Sequence, residues 1–62
     1  MTSVETIADY LSEYRQSNPY ETQCWVPMDD ITANDLEEFY GYYVIDWDTD
    51  SFTGETIALI GW

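Results

Sequence analysis

Carboxylates are the chemistry of this chain: thirteen Asp and Glu stand against one base, Arg15, with no lysine or histidine, for a formal charge of -12 over 62 residues. Glu5, Asp9 and Glu13 recur every fourth position, so on a helix they form one row at about 6 Å intervals. Asp46, Asp48 and Asp50 alternate, and on a strand running that far they share one sheet face at about 6.6–6.8 Å intervals. Asp29 and Asp30 precede a second helical stretch, Asp35, Glu37 and Glu38 lie within it, and Glu21 and Glu55 complete the set. Acids in a first helical turn favour the helix dipole, which accounts for Glu5 and Asp35. The others crowd together without local compensation.

Rows of anions with no cations between them suit a basic protein groove, whose Arg and Lys can grip carboxylates as they grip phosphates. A compact chain of this length has an expected radius of gyration of about 10–11 Å, or a diameter of roughly 27 Å. The same length of duplex DNA holds roughly 16 charges, a comparable density. The binding candidates are therefore Glu5, Asp9, Glu13, Asp29, Asp30, Asp35, Glu37, Glu38, Asp46, Asp48, Asp50 and Glu55. The expected partner is a basic DNA-binding protein. Direct contact with nucleic acid or an anionic membrane requires clustered Lys and Arg, and a single arginine does not supply it. The competing reading is that the acidity serves only solubility or life in high salt. Against it, solubility is reached with far less charge, and self-repulsion destabilises so small a fold.

Other chemistry is poorly provided for. There is no histidine for proton transfer, no lysine for a Schiff base, no second cysteine and no glycine-rich phosphate loop. No enzymatic activity and no cofactor are expected. The segment Asp46-Trp-Asp-Thr-Asp50 opens like a calcium loop, but the glycine and glutamate of that pattern would fall on Ser51 and Ile57. A polar hairpin turn is the ordinary reading, weak calcium binding the alternative, and no metal ligand is assigned. Cys24 reads as a reduced, buried thiol. No apolar run approaches the roughly 20 residues of a membrane span, and the start of the chain lacks the features of a signal peptide, so a cytoplasmic location is expected.

The elements that must carry these acids follow from periodicity. Thr2-Ser3-Val4-Glu5 reads as a capping box, and Val4, Ile7, Ala8, Leu11 and Tyr14 predict an amphipathic helix from about 3 to 16, ended by Asn18-Pro19. Glu21 to Met28 alternates Thr22, Cys24, Val26 and Met28 against Gln23, Trp25 and Pro27, an edge strand because of its proline. Thr32 is read as the cap of a short helix over about 33–40, with Ile31 stapled to Leu36 and Gly41 as the stop. Tyr42 to Asp48 and Glu55 to Trp62 predict a hairpin. Residues 1–62 thus make a single α+β domain in the order αβαββ, the first helix packed on a three-stranded, mainly antiparallel sheet. Tyr42, Tyr43, Trp47 and Trp62 are expected to serve mainly as packing residues, while any exposed rings would meet arginine stems of a target. Strand order and the choice between monomer and homodimer are not legible.

In length, charge, absence of lysine and acid rows such as Glu5/Asp9/Glu13 and Asp46/Asp48/Asp50, the chain resembles the small acidic phage proteins that mimic DNA, anti-CRISPR and anti-restriction proteins among them. That group has no common motif or fold, so the likeness is compositional. It implies inhibition of a host defence complex in the bacterial cytoplasm, by occupation of a DNA-binding surface such as the PAM-recognition channel of a CRISPR surveillance complex. The alternative partner is another basic host or phage protein.

Overall fold

The computed structural model describes residues 3–62, in the order α1 (Val4–Ser17), β1 (Gln23–Pro27), α2 (Asp30–Tyr40), β2 (Tyr43–Thr49) and β3 (Thr56–Gly61). The α+β class and the αβαββ order are as expected. In α1, Ile7 and Leu11 are buried while Val4, Ala8 and Tyr14 pack around them, so one face of the helix is apolar. Its N-cap is Ser3, whose hydroxyl accepts from the Thr6 N–H at 3.3 Å. The expected cap, Thr2, lies outside the described residues. Asn18 closes the helix, its side-chain amide and backbone N–H both donating to the Tyr14 carbonyl.

The second helix starts three residues earlier than its sequence suggested. Asp29 is the N-cap, with Oδ1 accepting the Thr32 N–H at 2.8 Å. Aspartate caps more strongly than threonine, and Thr32 itself is buried inside the helix. The earlier start changes two further expectations. Asp35 lies beyond the first turn, where Asp30 stands instead. Ile31 is 72% exposed and staples nothing; Met28 and Ala33, both in the core, occupy the staple positions. Gly41 ends the helix in the left-handed region at φ 74°, which suits a residue without Cβ.

The strands run in the spatial order β1-β3-β2, and β3 is antiparallel to both neighbours. Consequently β1 and β2 are parallel to each other, joined through α2, with β3 inserted between them. The chemistry of the strands agrees with this order. β3 is almost wholly apolar and sits in the centre, whereas β1 carries Pro27 and β2 carries aspartates, both suited to an edge. Because β3 already has a neighbour on each side, it offers no free edge to a second copy of the chain.

Both helices pack on one face of the sheet. Ile7 and Leu11 of α1, Ala33 and Leu36 of α2, Cys24 and Val26 of β1, and Ala58 and Ile60 of β3 form one core. The C-terminal end is closed by aromatic rings. Trp62 meets Tyr14 and Tyr42 edge-on, with centroids 6.1 and 6.4 Å apart, and Arg15 lies 5.5 Å from the Trp62 ring centroid. The described body has a radius of gyration of 11.0 Å and extents of 29 × 23 × 19 Å.

Candidate functional site

Burial of Ile7 and Leu11 turns the opposite face of α1 to solvent, and that face carries Glu5, Asp9 and Glu13, all exposed. On α2, Asp30, Glu37 and Glu38 are likewise exposed, while Asp35 is half-buried on its flank. These acids belong to the helix layer. Apart from Asp30 at the start of α2, they lie on the opposite side of the molecule from the uncovered face of the sheet, so the twelve candidates do not make one patch.

At one end of the sheet, Asp29, Asp30 and Glu55 line a surface groove of about 630 Å³ together with Pro27 and Ile31. The structure thus joins acids from two separate parts of the chain. Hydrogen bonds from Thr32 to the Asp29 carboxylate, the backbone N–H foremost, hold its pKa below the ordinary 3.8. Asp29 is therefore anionic throughout the neutral range.

A register shift decides where the remaining acids point. Val44 pairs with Ile60 and Asp46 with Leu59, leaving Ile45 as an extra, bulged residue. Strict alternation would set Asp46 on the same face as Val44, toward the core. The bulge reverses the phase and turns Asp46 and Asp48 to the uncovered face. Ile45 turns with them and lies over Gly61, where an added Cβ would come within 2.6 Å of Ile45 Cδ1. A side chain at Gly61 would have to displace the end of Ile45.

The uncovered face consists of three transverse rows, each read from β1 through β3 to β2. They are Gln23–Gly61–Tyr43, Trp25–Leu59–Asp46 and Pro27–Ile57–Asp48. Carboxylates stand at the β2 margin, and apolar groups fill most of the rest. Trp25 is 42%, Tyr43 65% and Ile45 54% exposed.

The two aspartates are held in place. Asp46 Oδ1 accepts the Trp47 N–H at 2.8 Å, and Asp48 Oδ1 accepts the Thr49 N–H at 2.7 Å. The Asp50 N–H bonds the Glu55 carbonyl, so the N–H groups of residues 46, 48 and 50 point at β3 and those of Trp47 and Thr49 point out of the sheet. The aspartates thus block the edge of their own strand, which hinders strand addition there. Asp50 does not share their face. It lies past the strand end, half-buried, and accepts from the Phe52 and Thr53 N–H groups at 2.8 and 3.2 Å to shape the turn.

Among the described residues, no group of three or more Asp, Glu, Cys or His side chains is arranged to hold a metal ion. Cys24 is buried under α1, and desolvation raises its pKa. No helix of the described residues is long and apolar enough to cross a membrane. Of the four rings singled out in the sequence, Tyr42 is buried and Trp62 half-buried, whereas Tyr43 and Trp47 are exposed. The apolar components of the open face, Trp25, Pro27, Ile45, Ile57 and Leu59, were not anticipated as a surface. Their signal was present in the alternation of Gln23, Trp25 and Pro27 against the buried Cys24, Val26 and Met28.

Neither a family model, nor a curated protein, nor a solved structure matches this chain.

Proposed function

We propose that the chain is a nucleic-acid-mimicking inhibitor. It occupies the DNA-binding surface of a bacterial defence complex, acts by occupation rather than catalysis, and belongs functionally with the anti-CRISPR and anti-restriction proteins that its composition resembles. The observation that supports this reading most is the density of exposed charge. None of the thirteen carboxylates is buried, and they face solvent from both layers of the body. Duplex DNA of the body's 29 Å length carries about 17 charges, against a formal -12 here. The one arginine is exposed beside the C-terminal rings, donating to the Tyr42 hydroxyl at 3.4 Å and lying over Tyr42 and Trp62.

A target that clamps phosphates with Arg and Lys would meet carboxylates at comparable density, and encounter would be accelerated by long-range attraction. PAM-reading sites of CRISPR complexes are built from such residues and are small enough for a body of this size to cover. The test is capture of bacterial lysate proteins on the immobilised chain, with duplex DNA added in parallel. Recovery of a DNA-binding complex that DNA displaces, and that dissociates as salt rises from about 0.1 to 0.5 M, is the expected result. Capture that ignores both DNA and salt would overturn mimicry.

A further inference from the structure

The helices cover one face of the sheet and leave the other open. A solvated face of an antiparallel sheet ordinarily carries polar residues at alternate positions. Here it carries Trp25, Pro27, Tyr43, Ile45, Ile57 and Leu59, and three of these are between 42% and 65% exposed. Large exposed apolar patches on small proteins mark surfaces that another molecule covers.

We infer that the open face of the sheet is a docking surface for an arginine-bearing segment of the partner protein, with Trp25 and Tyr43 as stacking platforms and Asp46 and Asp48 as the guanidinium acceptors. The inference rests on the reading of the chain as a decoy for a cationic surface and assigns the contact to one face.

Charge complementarity selects the occupant. A second copy would bring another -12 against the first, with Asp46 and Asp48 on each apposed face, so self-association works against strong repulsion. A cationic partner meets the opposite situation. Arginine suits the surface better than lysine because its guanidinium is flat, weakly hydrated, stacks on aromatic faces and bonds carboxylates through two N–H groups.

The spacing fits as well. Strands lie about 4.8 Å apart, which sets Trp25 and Asp46 about 10 Å apart in their row with Leu59 between them. An arginine reaching Asp46 would lay its aliphatic stem over Leu59. Each aspartate is already oriented through Oδ1 by the following N–H, which leaves the second oxygen for a ligand. Little side-chain freedom is then lost on binding. The groove that carries Asp29, Asp30 and Glu55 adjoins this face at Pro27 and extends the anionic rim around a second side.

The full chain, labelled with nitrogen-15, would be titrated with an arginine octapeptide and a lysine octapeptide of equal charge, in low and moderate salt. Three variants would accompany it. Tyr43→Ala removes an exposed ring, Asp46→Asn with Asp48→Asn removes charge while keeping the in-strand acceptors, and Glu5→Gln with Asp9→Asn and Glu13→Gln neutralises the helix row.

The expected result is preference for the arginine peptide, with amide shifts at Trp25, Tyr43, Asp46, Asp48 and Leu59. Tyr43→Ala should weaken that peptide about 2- to 5-fold, and the paired aspartate change should weaken it further. Shifts confined to the helix layer, or equal binding of the two peptides, overturn this assignment and leave the decoy reading intact. Failure of both peptides to bind at low salt overturns both. Sedimentation showing a dimer that Tyr43→Ala dissociates makes a second copy the occupant and likewise overturns the assignment.

Discussion

The acid row of α1 permits a sharp test, because a charge kept for a partner and against the fold should reveal itself when reversed. Asp9 lies between Glu5 and Glu13 on the solvent face, four residues from each. Each like-charged pair at this spacing opposes the helix by about 0.2–0.5 kcal/mol, and an opposite pair supports it by a similar amount. Asp9→Lys converts two repulsions into two attractions, so the expected gain in stability is about 0.8–2 kcal/mol. In a domain of this size 1 kcal/mol moves the melting temperature by about 4–8 °C, and the variant should melt about 3–16 °C above the parent in low salt. Lysine is also the better helix former. Asp9→Gln, of similar propensity but neutral, should therefore show the smaller gain of propensity plus lost repulsion. At 1 M salt the screening length falls to about 3 Å, and the two variants should converge. Circular dichroism melts at both salt levels check this. The same Asp9→Lys protein should bind the basic partner more weakly in low salt. The reasoning would be refuted if Asp9→Lys failed to raise the melting temperature, or if its advantage over Asp9→Gln survived in high salt.

Other expectations follow from single sites. Leu36 is fully buried, and Leu36→Ala should remove about 2–5 kcal/mol. That approaches the roughly 3–5 kcal/mol a core of this size supplies, so the variant should be largely unfolded at room temperature, and a cooperative parent-like melt would contradict it. Cys24 is buried with a raised pKa, so a thiolate-seeking reagent at mildly alkaline pH should label the native chain slowly and the urea-unfolded chain at least about tenfold faster; equal rates would place the thiol at the surface. Because the folded pKa of Asp29 is depressed, its contribution to stability is present above the ordinary 3.8 and lost as pH falls through the lower folded value. Asp29→Ala should therefore be destabilising in urea melts at pH 6 and progressively less so on acidification. Asp29→Asn, which still caps the helix, should lack that pH dependence.

The fold was legible where local chemistry and periodicity agreed. Ile7 and Leu11 at helical spacing, Cys24, Val26 and Met28 at strand spacing and Gly41 after a helical run each carry one interpretation, and the structure places all of them accordingly. Legibility failed where two residues competed for one role. Asp29 and Thr32 are both caps by type, and the choice went to aspartate because Thr32 is needed inside the helix and is buried there. The acids of β2 show the limit most clearly. Their two-residue spacing correctly put Asp46 and Asp48 on one face, but nothing local indicated which face, or that Asp50 would leave the strand to shape the turn.

Composition and pattern alone determined the charge, the two helices and the three strands, because each depends on residues within a few positions of one another. Tertiary structure alone decided that β3 lies between β1 and β2, that a bulge at Ile45 turns the aspartates outward, and that the acids divide between a helix layer and an open aromatic sheet. These outcomes depend on strand register, and register is settled by packing between segments far apart in the chain.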